Sequence, residues 1–117
     1  MSKTHTSKAK GRRLQQYVAN KIKEVFCLSD KDVVSRPMGS QGTDIMMSEK
    51  AHNTFPFDIE CKNQESLNLW KAWEQAHTNT QEGSETLLVI KKNRTTPLAV
   101  LDFDTFIRFW NDYKVNK

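Results

Sequence analysis

Eight consecutive residues constrain this chain more than any others: Phe55-Pro56-Phe57-Asp58-Ile59-Glu60-Cys61-Lys62. From Phe57 onward, apolar Phe57, Ile59 and Cys61 alternate with charged Asp58, Glu60 and Lys62. A period of two defines a half-buried β-strand, with one face in a core and the other in polar surroundings. Pro56 places its start at a sheet edge, or after that residue. Side chains two apart share a face, so Glu60 and Lys62 project together. A second β-prone run, Thr43-Asp44-Ile45-Met46-Met47, lies just upstream. The loop expected over residues 48–54 is long enough to pair the two runs as antiparallel neighbours. Asp44, Glu60 and Lys62 then converge on one patch.

Two carboxylates offer hard oxygen ligands, which suit Mg²⁺ or Mn²⁺ rather than zinc. A lysine beside such an ion orients or deprotonates a water and neutralises charge on a phosphate. The patch therefore points to phosphodiester hydrolysis. The lead-in Gly39-Ser40-Gln41-Gly42 reads as a tight turn between two strands, compatible with a substrate passing nearby.

Asp44, a spacer, then Glu60-Cys61-Lys62 resembles the D…(D/E)xK signature of the PD-(D/E)xK nuclease superfamily. The Gly-Ser-x-Gly-x-Asp-Ile lead-in, the short chain and a basic first helix are most similar to its Holliday-junction resolvase branch. The resemblance covers roughly residues 10–75. It implies an αβββαβ core, here with an extra strand and helix at the end. It also implies a Mg²⁺- or Mn²⁺-dependent endonuclease, a branched DNA substrate and a homodimer. Asp44, Glu60 and Lys62 match the catalytic positions. Asp44, Glu60 and the backbone carbonyl of Cys61 match the metal ligands. Ser40 matches a small hydroxyl residue before the aspartate, and Gln75 a polar residue on the helix after the ExK strand. One position departs from the pattern. Where family members place a metal-facing glutamate on the first helix, this chain has Gln15, a neutral and weaker ligand, which leaves open one metal ion or two.

The net charge of +4 is less informative than its placement. Lys3, Lys8, Lys10, Arg12 and Arg13 precede any acidic residue, and the rest of the chain has 13 basic against 14 acidic residues. A basic segment of this kind favours a nucleic-acid partner, and Arg36 joins it as a DNA contact. Read alone, the same segment is also compatible with a solubilising tail. We expect residues 1–8 to be a disordered basic arm and residues 9–117 to be one nuclease domain. With 37% hydrophobic and 27% charged residues, the composition is that of a soluble domain. No apolar run approaches a membrane span and no secretory signal is visible. Cys27 and Cys61 lack metal-ligand spacing and read as buried thiols of a reducing, cytoplasmic environment, a viral protein in a host cytoplasm included. His5, His52 and His77 are scattered, which argues against zinc.

The remaining elements follow from periodicity. Residues 9–27 have the spacing of an amphipathic helix, with Leu14, Val18 and Ile22 on its apolar face. Residues 33–36 form a strand stopped by Pro37. A helix over residues 66–78, capped by Ser66, carries Leu69, Trp70, Trp73 and Ala76 toward the core. Residues 86–91 and 98–103 make a β-hairpin. A helix over residues 105–113, capped by Asp104, turns Phe106, Ile107, Trp110 and Tyr113 to the core and leaves Phe109 pointing away. The fold class is α/β, a single domain with a mixed five-stranded sheet flanked by helices. Three functions stay open: a junction resolvase, a general repair- or restriction-type nuclease, and a catalytically weak or inactive DNA-binding protein of the same fold.

Overall fold

A computed structural model describes residues 3–116, and side chains from residue 6. The elements, in order, are α1 (Lys3–Phe26), β1 (Val33–Ser35), β2 (Ile45–Met47), α2 (Glu49–Thr54), β3 (Phe57–Asn63), α3 (Leu69–Asn79), β4 (Glu85–Lys91), β5 (Leu98–Val100) and α4 (Phe103–Val115). This is a mixed α/β domain. No helix among the described residues is long and apolar enough to cross a membrane.

The expected five-stranded sheet is instead two smaller ones. β1 and β2 form an antiparallel pair, and β3, β4 and β5 form a second sheet in that order. β3 and β4 are parallel, with α3 as the crossover, and β4 and β5 are the expected hairpin. The break falls at Asp44. Its backbone N–H donates to the Ile59 carbonyl at 3.0 Å, and its own carbonyl accepts from Arg36 at 2.8 Å, so its backbone links the two sheets. The next donor along that edge, the N–H of Cys61, is taken by the Asp44 carboxylate at 2.7 Å, where a further ladder carbonyl would otherwise sit. The segment expected as a loop also leads the chain away as α2. Ser48 caps α2 by accepting from the Ala51 N–H, and Glu49 occupies the first turn. The Ser48 hydroxyl also donates to Asp32, and that bond, with the Ser29 N–H and hydroxyl, holds the Asp32 carboxyl below its usual range.

The three-stranded sheet is covered on both faces. Leu14, Val18, Ala19 and Ile22 of α1 pack on Phe57, Ile59, Cys61, Leu87 and Val89. Ala72 and Ala76 of α3 pack on Leu88, which pairs in register with Glu60 on the opposite face. β3 is therefore buried on both sides, not half-buried as its alternation suggested. Asp58 and Glu60 are only 4% and 6% exposed. Their burial is sustained by polar partners. Asp58 bonds the His52 ring at 2.8 Å and accepts from the Gln81 N–H at 2.8 Å.

Several local expectations differ from the structure. α1 begins at Lys3, so the segment expected as a disordered arm continues the helix; once an amphipathic helix is nucleated, each added residue gains a hydrogen bond at little cost. The side chain of Lys3 lies outside the described residues, as does that of His5. Cys27 is exposed, with a left-handed φ of 55° at the end of α1, the conformation that terminates helices. Asn68, not Ser66, caps α3, and Trp70 is 80% exposed while the smaller Ala72 and Ala76 face the sheet.

α4 is rotated from its expected orientation. Asp102 caps it, and Glu85 on β4 accepts from the Thr105 hydroxyl at 3.2 Å and pairs with Arg108. Those polar anchors select the inward face. Phe109 sits against Phe57, 5.1 Å between ring centroids, and Phe103, Phe106, Ile107, Trp110 and Tyr113 face outward.

Candidate active site

Where the two sheets part, a cleft of about 600 Å³ opens between α1 and the C-terminal half of α3. Its floor is the outer part of β3, contributing Glu60, Cys61, Lys62 and Asn63, with Asp44 alongside. Gln15 of α1, Ser40 and Gly42 of the turn, and Gln75 and Asn79 of α3 complete the walls. The residues nominated from sequence as catalytic, metal-binding or site-lining all line this one cleft.

The burial of β3 gives Glu60 an unusual environment. Removal from water and then the charge of Asp44, also within hydrogen-bond reach, push its carboxyl up to about 7. Asn79 donates to Glu60 Oε1 at 3.1 Å and, with the nearby Lys62 ammonium, opposes that rise. Among the described residues no ion pair holds Lys62, which shares the Glu60 face as the strand period requires. The Cys61 thiol is buried against Asp44 and Glu60, and burial first, then their charges, raise it strongly. It contributes nothing as a thiolate. Its backbone is oriented differently: a strand residue sends its N–H and C=O to the same edge, so the Cys61 carbonyl faces the Asp44 side and not β4.

The glycine turn forms one wall through two left-handed residues, Gly39 (φ 86°) and Gly42 (φ 113°). A Cβ at Gly42 would lie 2.8 Å from the Arg36 guanidinium, which folds back onto the turn and donates to the Thr43 carbonyl. Arg36 thus braces the turn. Ser40 donates to the Pro37 carbonyl at 2.7 Å. Gln15 is buried, and its side-chain oxygen accepts from the Ser35 hydroxyl at 3.0 Å, tying α1 to β1. Lys8, Arg12 and Arg13 are exposed on α1 and Lys10 is half-buried.

Sequence reasoning missed Asn79. The signal was present: it lies four residues after Gln75, hence on the same helical face.

The donor set fits a hard divalent cation. Two carboxylates lie close enough for one to raise the other, and a carbonyl faces the same edge. Among the described residues no group of three or more His, Cys, Asp and Glu converges, so any further ligands would be neutral oxygens or water. No family model, curated protein or solved structure matches this chain.

Proposed function

We propose that the protein is a Mg²⁺- or Mn²⁺-dependent DNA endonuclease of the PD-(D/E)xK kind. One observation carries the reading: Asp44, Glu60 and Lys62, eighteen residues apart at most, line one polar cleft, where the charge of Asp44 helps to raise the Glu60 carboxyl. Asp44, Glu60 and the Cys61 carbonyl would hold the ion. When bound, it supplies Lewis-acid polarisation of the phosphate and a more acidic water. Lys62 orients the attacking water and neutralises charge gathering on the phosphate oxygens. Water adds to phosphorus, the bond to one ester oxygen breaks, and a 5′- or 3′-phosphate and a hydroxyl result. Asp44, fixed by the Cys61 N–H, keeps one carboxylate oriented whether or not substrate is present. The Gln15 oxygen is engaged by Ser35, which favours a single ion over two.

The test is plasmid nicking with Mg²⁺ or Mn²⁺ against EDTA. Metal-dependent nicking is expected; none with either ion would overturn the reading. The neutral Gln15 favours the second reading, a protein of this fold that binds DNA with little or no turnover, and that reading predicts EDTA-insensitive binding without nicking.

Within the nuclease reading, a four-way junction cut by a homodimer is the substrate the α4 surface favours. Phe103, Phe106, Ile107, Trp110 and Tyr113 form one outward stripe, and Trp70 shares a groove with Phe103. At roughly 150–250 Å² per aromatic side chain, their exposed parts approach the roughly 800 Å² that each partner buries in a standard interface. A two-fold pair carries two sites, as two symmetric cuts require. Sedimentation combined with a cruciform-plasmid assay checks it: a dimer linearises the cruciform, and a monomer that leaves single nicks without junction preference leaves a general nuclease.

A further inference from the structure

A second groove adjoins the acidic cleft. It runs between α1 and the turn that joins β4 to β5, with a volume of about 330 Å³. Lys10, Arg13 and Tyr17 supply one wall, at the i, i+3, i+7 positions of one helical face. Lys91 and Thr95 belong to the opposite wall. Asn63 lines both this groove and the acidic cleft, so the two adjoin at that residue.

We propose that this groove holds the sugar-phosphate backbone of one nucleic-acid strand as it leaves the cleft. The proposal rests on the phosphodiester reading of the cleft and adds where the flanking strand lies. Three features carry it. First, the two cavities differ in charge: three cations and no carboxylate line the groove, whereas the two carboxylates Asp44 and Glu60 line the cleft together with the single cation Lys62. A site with cations on two facing walls selects an anionic chain, and phosphates contacted in this way position the substrate without reading its sequence. Second, both walls are fixed before any ligand arrives. The Asn63 side chain donates to the Lys10 carbonyl at 3.2 Å, locking α1 to β3 at the junction of the two cavities. Across the groove, Lys92 donates its N–H to the Thr95 hydroxyl at 3.2 Å, Thr95 returns a bond to the Lys92 carbonyl at 3.0 Å, and the Asn93 N–H is held by Glu65. Arg94 takes a left-handed φ of 65° within that turn. Third, Tyr17 presents a half-exposed ring on the same wall, with the Lys21 ammonium 5.7 Å from its centroid. An aromatic beside a cationic track suits a sugar or an unstacked base and would serve an acidic peptide less well.

The groove gives Lys91 a role. At the end of the central strand β4, it faces Lys10 and Arg13 across a gap that a polyanion can fill.

The experiment measures binding in EDTA, so it does not depend on turnover. Affinity of a short fluorescent DNA duplex is followed against salt for the wild type, for Arg13→Ala, Lys91→Ala and their combination, for Arg13→Lys, and for Lys31→Ala, an exposed lysine outside the groove. Each lost phosphate contact is expected to reduce the slope of log affinity against log salt by about 0.9, with the combination losing about twice that, Arg13→Lys retaining the slope and Lys31→Ala leaving it unchanged. Unaltered slopes in folded Arg13→Ala and Lys91→Ala proteins would overturn the proposal, as would an equal loss in Lys31→Ala. Should the groove variants lose slope while the wild type shows no metal-dependent nicking, the groove stands and the endonuclease reading falls.

Discussion

At the edge of β3, Glu60 is 6% exposed; on the outer side of α4, Trp110 is 57% exposed. A carboxylate is buried where a core residue is expected, and an indole is in water where a charge is expected. The two departures have different costs. A buried carboxylate is expensive even with partners, because each state of the protein must either desolvate a charge or bind a proton. An exposed aromatic costs the monomer little, since it loses nothing that the unfolded chain had. Energy stored at the first site is available to a cation or phosphate; apolar area left at the second is available to another surface.

The largest expected effect lies at the first site. Asp44→Asn and Glu60→Gln should each lower the nicking rate by more than about a hundredfold, beyond the loss seen when only an outer partner of a metal ligand is disturbed. DNA affinity should stay level or rise, because negative charge facing phosphate is removed. Wild-type rates in either variant would dissolve the contrast between cleft and surface. Lys62→Ala should lower the rate far more than the affinity, and the reverse pattern would make it a phosphate contact.

The same cleft should oppose folding when it carries no ion. Glu60 is pushed from 4.5 up to about 7, mainly by burial. A carboxyl whose value rises on folding binds more protons folded than unfolded. Its favourable contribution is complete below about 4.5 and is lost as the pH rises through about 7. At pH 8 the ionised, buried group therefore costs up to roughly 3 kcal/mol. Glu60→Gln should raise the melting temperature of the metal-free protein by roughly 10 °C at pH 8, and by little at pH 4. Equal shifts at both pH values would assign the effect to packing instead.

α4 offers an internal version of the comparison, between adjacent residues. Phe109 packs against Phe57, while Trp110 faces out beside Tyr113 at 5.3 Å. Phe109→Ala should cost about 2–3 kcal/mol, below the range for a fully buried ring because Phe109 is only partly covered. Trp110→Ala should cost the monomer no more than about 0.5 kcal/mol and weaken self-association. Equal losses, with no change in sedimentation, would mean that both rings serve only the fold.

These two regions also differ in how far the sequence reveals them. The cleft was legible because its residues are bound to a strand period: once β3 is placed, Glu60 and Lys62 share a face by geometry, and Asp44 lies in the β-prone run just upstream, whose backbone bonds Ile59 of β3. The depth of that cleft was not legible. Alternation cannot distinguish a face open to water from one covered by the end of α3, since the residues that cover it, Asn79 and Gln81, come some twenty positions later. The orientation of α4 was not legible either. Its apolar residues occupy more than one face, and its rotation was decided by Glu85, a distant strand residue that engages Thr105 and Arg108. The same long-range choice buried Ala72 and Ala76 and left Trp70 outside. Two short sheets replaced one because a side chain, Asp44, took a backbone donor, a substitution that periodicity does not encode.

The smallest expected effect separates a cleft that is merely buried from one that is tuned. Asn79 is the last residue of α3, is itself exposed, and donates to Glu60 Oε1. That bond favours the ionised carboxylate and so holds Glu60 lower than burial and Asp44 would leave it. Asn79→Ala removes the donor without adding charge. Glu60 then binds its proton more tightly, and in the proposed endonuclease, where the ionised form would hold the cation, the acid limb of the nicking rate should move upward by up to about 1 pH unit, the equivalent of about 1.4 kcal/mol. Well above that limb the rate should approach the wild-type value. Asn79→Asp, which replaces the donor with a further charge, should shift the limb further in the same direction. A pH profile that keeps its wild-type position while the rate falls uniformly would show that Asn79 only terminates the helix, and that Glu60 owes its state to burial and Asp44 alone.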